Sequence, residues 1–462
     1  MSFLSSRLRI VLAVLAFTSS IVFISFHSSQ SLRDTVRDYA KYPDFLRQRP
    51  IPVAEKPLNT SVAKCLPDDY AEGHWWKRPT AKPVQTDEDA LRSSGFMGCA
   101  SNREYSWHLG LGPWDKGNQE FPEREWRGNV SAYNWIPGKG CDTYEKVDRE
   151  SLIMQLVEDG GWLILGDSVS EGHFHSLSCM LYPHVYATPD YIKNPYWDRA
   201  WPQYLYLNKS SSLVPHINFP KGFDIDKTPL VLFRRVDLLL GKADLTSLWK
   251  DFPAGNATRK DLFEGGDDVW DLDPSVYVPI FLAPLPEANF RTMILSTAGH
   301  WTVGTLPGFE ASDLGYTKML EFFSLSMDSW IRRMVNMLEH AKEDDEANGI
   351  KRKKERQIVV RGYNPGHDAC NLAQNRLGGP LEEWNEGWTH SWNWKWIRKF
   401  NGIFENLIQT WNHPNIHYLP LEKIGLLRPD VHVLGDCLHI LTGGGVIESW
   451  SEYISYFMRH LP

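Results

Sequence analysis

The chain has no excess of positive charge. Its 462 residues carry 49 Lys and Arg against 57 Asp and Glu, a net charge of −8, which removes the electrostatic basis for a nucleic-acid partner. It also lacks metal-ligand spacing: the six cysteines, Cys65, Cys99, Cys141, Cys179, Cys370 and Cys437, include no CxxC pair, so no zinc site is expected. No internal repeat is visible, which excludes a solenoid or propeller. Residues 65–147 are rich in Gly, Trp and Cys but show no long amphipathic period. They read as an irregular, disulfide-tied subregion (64–150) packed on a main domain (151–462).

What is present first fixes a compartment. Residues 10–26 are almost entirely apolar and follow Arg7 and Arg9, and from Leu8 the run is just long enough for the roughly 20 residues that span a bilayer. A cleaved signal peptide is the competing reading. Thr18-Ser19-Ser20 interrupts the run without a clean cleavage site, which favours an uncleaved signal anchor (1–27). The preceding arginines point its tip to the cytosol, although Arg33, Arg37 and Lys41 follow on the other side. Residues 28–63, polar and containing Pro43, Pro50, Pro52 and Pro57, read as a flexible stem. Four N-glycosylation sequons, at Asn59, Asn129, Asn208 and Asn256, agree with a lumenal body. In that oxidising compartment the six cysteines are expected to form three disulfides, with fifteen connectivities open. The basic run 351–356 follows an acidic helix end with Gly349 as its cap, and reads as a solvated loop rather than a localisation signal.

From Leu152 short apolar runs alternate with helical stretches. Strands are predicted at 162–165, 229–234, 292–296, 357–361 and 416–419, and helices at 171–181, 317–347, 391–411 and 446–461. Such alternation argues for an α/β fold with a mostly parallel sheet covered on both faces. Ligands in such sheets sit at the carboxyl ends of the strands. Ser168, the segment Gly299-His300-Trp301 and the segment from Arg361 to His367 each follow a strand, so they should converge on one cleft.

Two short motifs carry the chemistry. Gly166-Asp167-Ser168 ends the apolar run Trp162-Leu163-Ile164-Leu165 and precedes a helical stretch, which puts a serine hydroxyl on a strand-to-helix turn. Asp436-Cys437-Leu438-His439 sets a carboxylate and an imidazole three residues apart. A serine nucleophile needs a base, and the base needs a partner that fixes its tautomer; the two motifs supply all three groups. Arg235, at a strand end, is a candidate for binding developing charge or a donor's phosphates, with an ion pair to Asp237 as the alternative. Gly299 and His300 are further oxyanion or substrate candidates. Asp167 is expected to hydrogen-bond within the turn. His367 near His300 or His439 raises the question of a metal, but nothing has metal-ligand spacing. Among the 20 tryptophans, Trp384, Trp388, Trp392, Trp394 and Trp396 cluster. Trp392 and Trp396, four apart, fit helix core packing, while one or two of the cluster are expected to stack on sugar rings.

Taken together, these blocks resemble the plant trichome-birefringence-like polysaccharide O-acetyltransferases and their relatives in the wider PC-esterase group of SGNH/GDSL-type acyl enzymes. The likeness rests on Gly166-Asp167-Ser168, Ser176-Leu177-Ser178-Cys179-Met180-Leu181, Ser296-Thr297-Ala298-Gly299-His300-Trp301, Arg361-Gly362-Tyr363-Asn364-Pro365-Gly366-His367, and Asp436-Cys437-Leu438-His439 with Trp450. Cys65 and Gly73-His74-Trp75-Trp76 extend it upstream. It implies an SGNH-like three-layer sandwich, with Ser168 as nucleophile, His439 as general base and Asp436 as its orienting carboxylate. The chain departs from the plant pattern at Ile440, at Thr302 and at Thr442-Gly443-Gly444-Gly445; the catalytic groups carry over, but the acceptor-side walls do not.

The leading expectation is therefore an O-acetyltransferase of the secretory pathway, anchored as a single-pass type II protein of the Golgi or a neighbouring compartment. It would act on a polysaccharide or glycan hydroxyl, with no bound cofactor or metal. An acetyl donor such as acetyl-CoA would be the co-substrate, with a membrane partner to supply it as an open possibility. An acetyl esterase using the same residues, and a catalytically silent glycan-binding protein, are the alternatives.

Overall fold

The computed structural model describes residues 65–79, 87–103, 123–191, 193, 202–253, 261–350, 352–370, 379–381, 392–433 and 436–461. The predicted anchor and stem, Asn59, Asn256, Trp384 and Trp388 lie outside them. Among the described residues, no helix is long and apolar enough to cross a membrane.

The sheet has seven strands: β3 (Gly161–Gly166), β4 (Val185–Thr188), β5 (Gln203–Leu207), β6 (Val231–Arg235), β7 (Phe290–Ser296), β8 (Gln357–Arg361) and β9 (Ile416–Leu419), in the order β4-β5-β6-β3-β7-β8-β9. The run β6-β3-β7-β8-β9 is parallel, and β4 and β5 extend it as antiparallel strands. All five strands predicted from apolar runs are present. Every residue of β3, β7 and β8 is buried, so both pleat faces are covered, as continuous Val/Ile/Leu runs require. β4 and β5 were not predicted. In β5 the burial alternates, the mark of a half-solvated antiparallel strand, and the tyrosines Tyr204 and Tyr206 occupy its outer positions.

Helices α4 (Arg149–Glu158), α5 (Ser168–Met180) and α11 (Val446–His460) pack together, joined by buried hydrogen bonds from His173 to Ser451 and from Gln155 to the Ser455 carbonyl. Helices α6 (Lys242–Asp251), α7 (Pro274–Leu282), α8 (Asp313–Ala347) and α9 (Trp394–Trp411) form a second group. Its seam is aromatic: Phe323 meets Phe400 edge to face, and so does Trp330 with Phe404. The helix predicted over 391–411 starts three residues later, because Trp392 takes a left-handed φ of 53°. Trp392 is therefore outside the helix and exposed, whereas Trp396 is buried as expected.

The N-terminal subregion carries α1 (Pro67–Ala71), α2 (Asp87–Ser93), α3 (Glu123–Val130) and an antiparallel pair, β1 (His74–Lys77) and β2 (Tyr133–Ile136). It is fastened to the main body by side-chain bonds: Trp75 and Trp126 donate to the carbonyls of Ile424, on α10 (Glu422–Leu426), and of Asp430, and Tyr70 to that of Ser449. All six cysteines pair, as Cys65–Cys141, Cys99–Cys179 and Cys370–Cys437. The basic run folds back on the end of α8, where Arg352 and Arg356 both reach Asp345. Asn129 lies on α3, and Asn208 accepts hydrogen bonds from Ser210 of its own sequon.

Candidate active site

The parallel strands end together. Gly166, the last residue of β3, is level with Arg235 of β6 on one side and Ser296 of β7 on the other. The order β6-β3-β7 means that the chain leaves β3 to one side, then returns to the other. Connections therefore diverge around the end of β3 and open a crevice there. Gly166 has a φ of +149°, and a Cβ on it would lie 2.7 Å from the Ser296 carbonyl, so the sharp exit from the sheet requires glycine.

Asp167 caps α5, its Oδ1 accepting from the Val169 N–H at 3.0 Å. Ser168 is then the first helical residue. Its N–H has no intrahelical acceptor, and the positive end of the helix dipole lies at its hydroxyl. Opposite it stands the loop before α11. Ser168 Oγ is 2.7 Å from His439 Nε2, and His439 Nδ1 is bonded to Asp436 Oδ2. Asp436 Oδ1 also accepts from the backbone N–H groups of Leu438, at 2.8 Å, and His439, at 3.0 Å. Burial favours the neutral form of Asp436, but the hydrogen bond and charge of His439, with the two N–H groups, outweigh it and hold the carboxyl well below the usual range. The three residues expected to act together, Ser168, His439 and Asp436, are thus joined in one hydrogen-bonded row.

Several supports fix this loop. Cys437, between the carboxylate and the imidazole, is tied to Cys370. Gly443 and Gly445 both have φ of +89°, and their N–H groups are gathered by Glu448, whose Oε1 also accepts from Ser176 of α5 at 2.6 Å. The triple glycine thus lets one carboxylate join the His439 loop to α5.

A second cluster flanks Asp167. Tyr363 donates to Asp167 Oδ2 at 2.7 Å, and Gly299 packs so closely that a Cβ would overlap the Tyr363 hydroxyl. Arg235 pairs with Asp237 at 3.0 Å and lies 4.0 Å from the Trp270 ring centre, which realises the ion-pair alternative for this arginine. Its Nη2 is 3.4 Å from His300 Nε2, and that imidazole nitrogen lies 4.0 Å from Asp167 Oδ2 and 3.9 Å from Asp237 Oδ1. Burial raises the Asp237 carboxyl above its ordinary value, against the lowering effect of His300 and Arg235. His300, 25% exposed, opens toward solvent.

Arg361 and His367 take different places. Arg361 is buried, stacked 3.9 Å from the Trp450 ring centre, and donates to the Gly362 carbonyl. Its Nη2 lies 3.5 Å from Ser170 Oγ of α5. His367 is also buried, with Nε2 2.9 Å from the Leu426 carbonyl and Nδ1 2.6 Å from His432 Nε2; His432 Nδ1 is 3.2 Å from the His439 carbonyl. Both ends of this row are acceptors, so three contacts require three protons, one more than two neutral imidazoles carry. Burial lowers His367 to about 4 and His432 to about 3. The pair is then neutral near pH 7, and its two protons are shared among the three contacts. Strand-end position placed these two residues near the cleft, but the direction of their side chains is set by packing. Tyr363, His432 and Asn393 were not assigned roles from sequence, since their partners are distant along the chain.

Among the described residues, no group of three or more His, Cys, Asp or Glu side chains is arranged to hold a metal ion. No known family model matches this chain, and no curated protein is significantly similar to it.

Proposed function

We propose that the chain is an SGNH-like acyl enzyme, an O-acetyltransferase that moves an acetyl group through acyl-Ser168 to a glycan hydroxyl in the secretory lumen. The observation that carries this reading is the hydrogen-bonded row Ser168–His439–Asp436 at the carboxyl ends of the parallel strands. A three-layer SGNH-like sandwich is the finer architecture we propose for the mostly parallel seven-stranded sheet that carries the row. The resemblance of the ordered blocks to polysaccharide O-acetyltransferases supports acetyl as the acyl group; the predicted anchor, sequons and paired cysteines support the lumen.

In the first half-reaction Ser168 Oγ attacks the acetyl carbonyl and its proton passes to His439 Nε2. The oxyanion forms beside the Ser168 N–H at the helix terminus. Collapse breaks the bond to the donor's leaving group, which takes the proton from His439. In the second, a sugar hydroxyl gives its proton to His439 and attacks the acyl carbonyl; the new ester departs and the proton returns to Ser168. Asp436 stabilises the imidazolium in both halves. The donor, acetyl-CoA or an equivalent, is a co-substrate, and a membrane partner would deliver it to the lumen.

The test incubates the full-length chain with acetyl-CoA or p-nitrophenyl acetate and a panel of oligosaccharides, with mass spectrometry of the Ser168 peptide and of the glycans. Acetylated Ser168 followed by acetylated glycan is the expected result, and replacing Ser168 or His439 should cost on the order of 10³-fold or more. Acetate release without transfer would make the protein an esterase. Unmodified Ser168 with unchanged glycans would leave only a binding role.

A further inference from the structure

We infer that Trp392 is a stacking platform for a sugar ring of the acceptor, set at the rim of the Ser168 cleft; this rests on the acyl-transfer reading above and assigns its acceptor side. Trp392 is 58% exposed, although tryptophan is among the largest apolar side chains. Its indole is not loose: Nε1 donates to the Gly299 carbonyl at 3.0 Å. That bond uses the ring edge and leaves the faces available, in the manner of an aromatic with one polar handle and open π surfaces.

The backbone supports the same conclusion. Trp392 has φ 53°, a left-handed conformation that costs a bulky L-residue roughly 1–2 kcal/mol and that glycine or asparagine adopts more easily. An exposed side chain that gains little from burial does not repay that strain by packing. The next residue makes the placement rigid. Asn393 is fully buried, makes no side-chain cap for α9, and donates instead to the carbonyls of Ala298 and Trp301, each at 2.9 Å. Trp392 and Asn393 together therefore grip the 298–301 loop at three carbonyls.

That loop reaches the nucleophile. A Cβ on Gly299 would lie 2.9 Å from Asp167 Oδ2, and Asp167 directly precedes Ser168. The indole is thus bonded to the loop that packs on Asp167, the residue before Ser168, and the same loop carries the partly exposed His300. Among groups that reach such a cleft, a pyranose ring matches the platform: its C–H face covers an indole, while its edge hydroxyls remain free to approach the acyl-serine. A donor nucleotide is the competing occupant of an indole face, and the test separates the two.

The experiment uses the full-length chain carrying Ser168→Ala, which cannot turn over, titrated calorimetrically with neutral gluco-, xylo-, manno- and galacto-oligosaccharides. At least one series should bind. Adding Trp392→Gly, which accepts the left-handed φ, should weaken that binding about tenfold, equivalent to about 1.4 kcal/mol. Trp392→Phe, which keeps a ring face, should recover it to within about threefold. The inference is overturned if no oligosaccharide binds, if Trp392→Gly binds within twofold of its parent, or if that change weakens acetyl-CoA binding instead. Failure of the underlying acyl-transfer reading appears separately, as absence of acetylated Ser168 in the wild-type chain treated with p-nitrophenyl acetate.

Discussion

Replacing Asp436 by asparagine tests the catalytic row without dismantling it. The side chain is nearly isosteric, and its Oδ1 can still accept from the N–H groups of Leu438 and His439, so the loop should keep its conformation. What changes is the group facing His439 Nδ1, where a carboxylate oxygen now accepts. In Asp436→Asn with Oδ1 retained in place, an amide NH₂ faces that nitrogen and can only donate. Nδ1 must then be unprotonated, and the imidazole proton moves to Nε2, the atom 2.7 Å from Ser168 Oγ. A base that already holds a proton there cannot remove one from serine. For a serine–histidine–carboxylate row this tautomer error costs about 10⁴-fold in turnover, or about 5.4 kcal/mol of barrier. The assay is the rate of Ser168 acylation by p-nitrophenyl acetate, followed by mass spectrometry, with circular dichroism to confirm the fold. Retention of more than a tenth of the wild-type rate in a folded Asp436→Asn protein would refute the assigned role of Asp436.

Gly299→Ala should lower acylation about 10²-fold, the usual effect of a 1 Å displacement beside the reacting atoms, because its Cβ meets the Tyr363 hydroxyl and Asp167. In a Tyr363→Phe background the same change should cost less, and strict additivity in the double-mutant cycle would count against the contact. Breaking Cys370–Cys437 by paired serine substitutions opens a 67-residue loop, worth about 4 kcal/mol in the chain-entropy view. Thermal unfolding should show a lower midpoint, and an unchanged midpoint with full activity would sink the argument that the bridge holds the catalytic loop. Acid should destabilise the protein. His367 and His432, at about 4 and about 3 when folded, regain their ordinary value near 6.5 on unfolding, so their contribution is complete above pH 6.5 and is lost as the pH falls through the folded values. Glu422, raised by burial to about 7, opposes them, its contribution being present at low pH and lost as pH rises through 7. His417, also lowered by burial to about 4, acts in the same direction as His367 and His432. These histidines outnumber Glu422, so the unfolded chain binds more protons, and stability should fall as the pH falls between roughly 6.5 and 4.5. Urea unfolding at pH 7, 6 and 5 measures it, and stability that rises on acidification would contradict the sign.

The sequence made the interior of the fold legible and its margins less so. Central parallel strands such as Trp162-Leu163-Ile164-Leu165 are continuous apolar runs because both faces are covered, and all five were found. The antiparallel β4 and β5 escaped because Tyr204 and Tyr206 alternate with leucines in a short, half-solvated segment. Trp392 and Trp396 have helical spacing, yet only Trp396 is in the helix. Spacing cannot report a left-handed φ imposed by bonds to Gly299 and its neighbours. Which cysteines pair was equally out of reach, since loop length hardly separates fifteen arrangements.

By itself the sequence determined the chemistry-bearing turns: glycine at the sharp exit from β3, aspartate as the cap, serine at the first helical position, and a carboxylate three residues before a histidine. These are local choices, set by backbone sterics and capping, and they hold wherever the chain is placed. Tertiary structure alone decided that the two turns, 271 residues apart, meet at 2.7 Å, that Arg361 and His367 point inward, and that Trp392 faces out beside Gly299. Those outcomes depend on contacts between segments far apart in sequence, where packing sets the direction of each side chain and no local pattern records it.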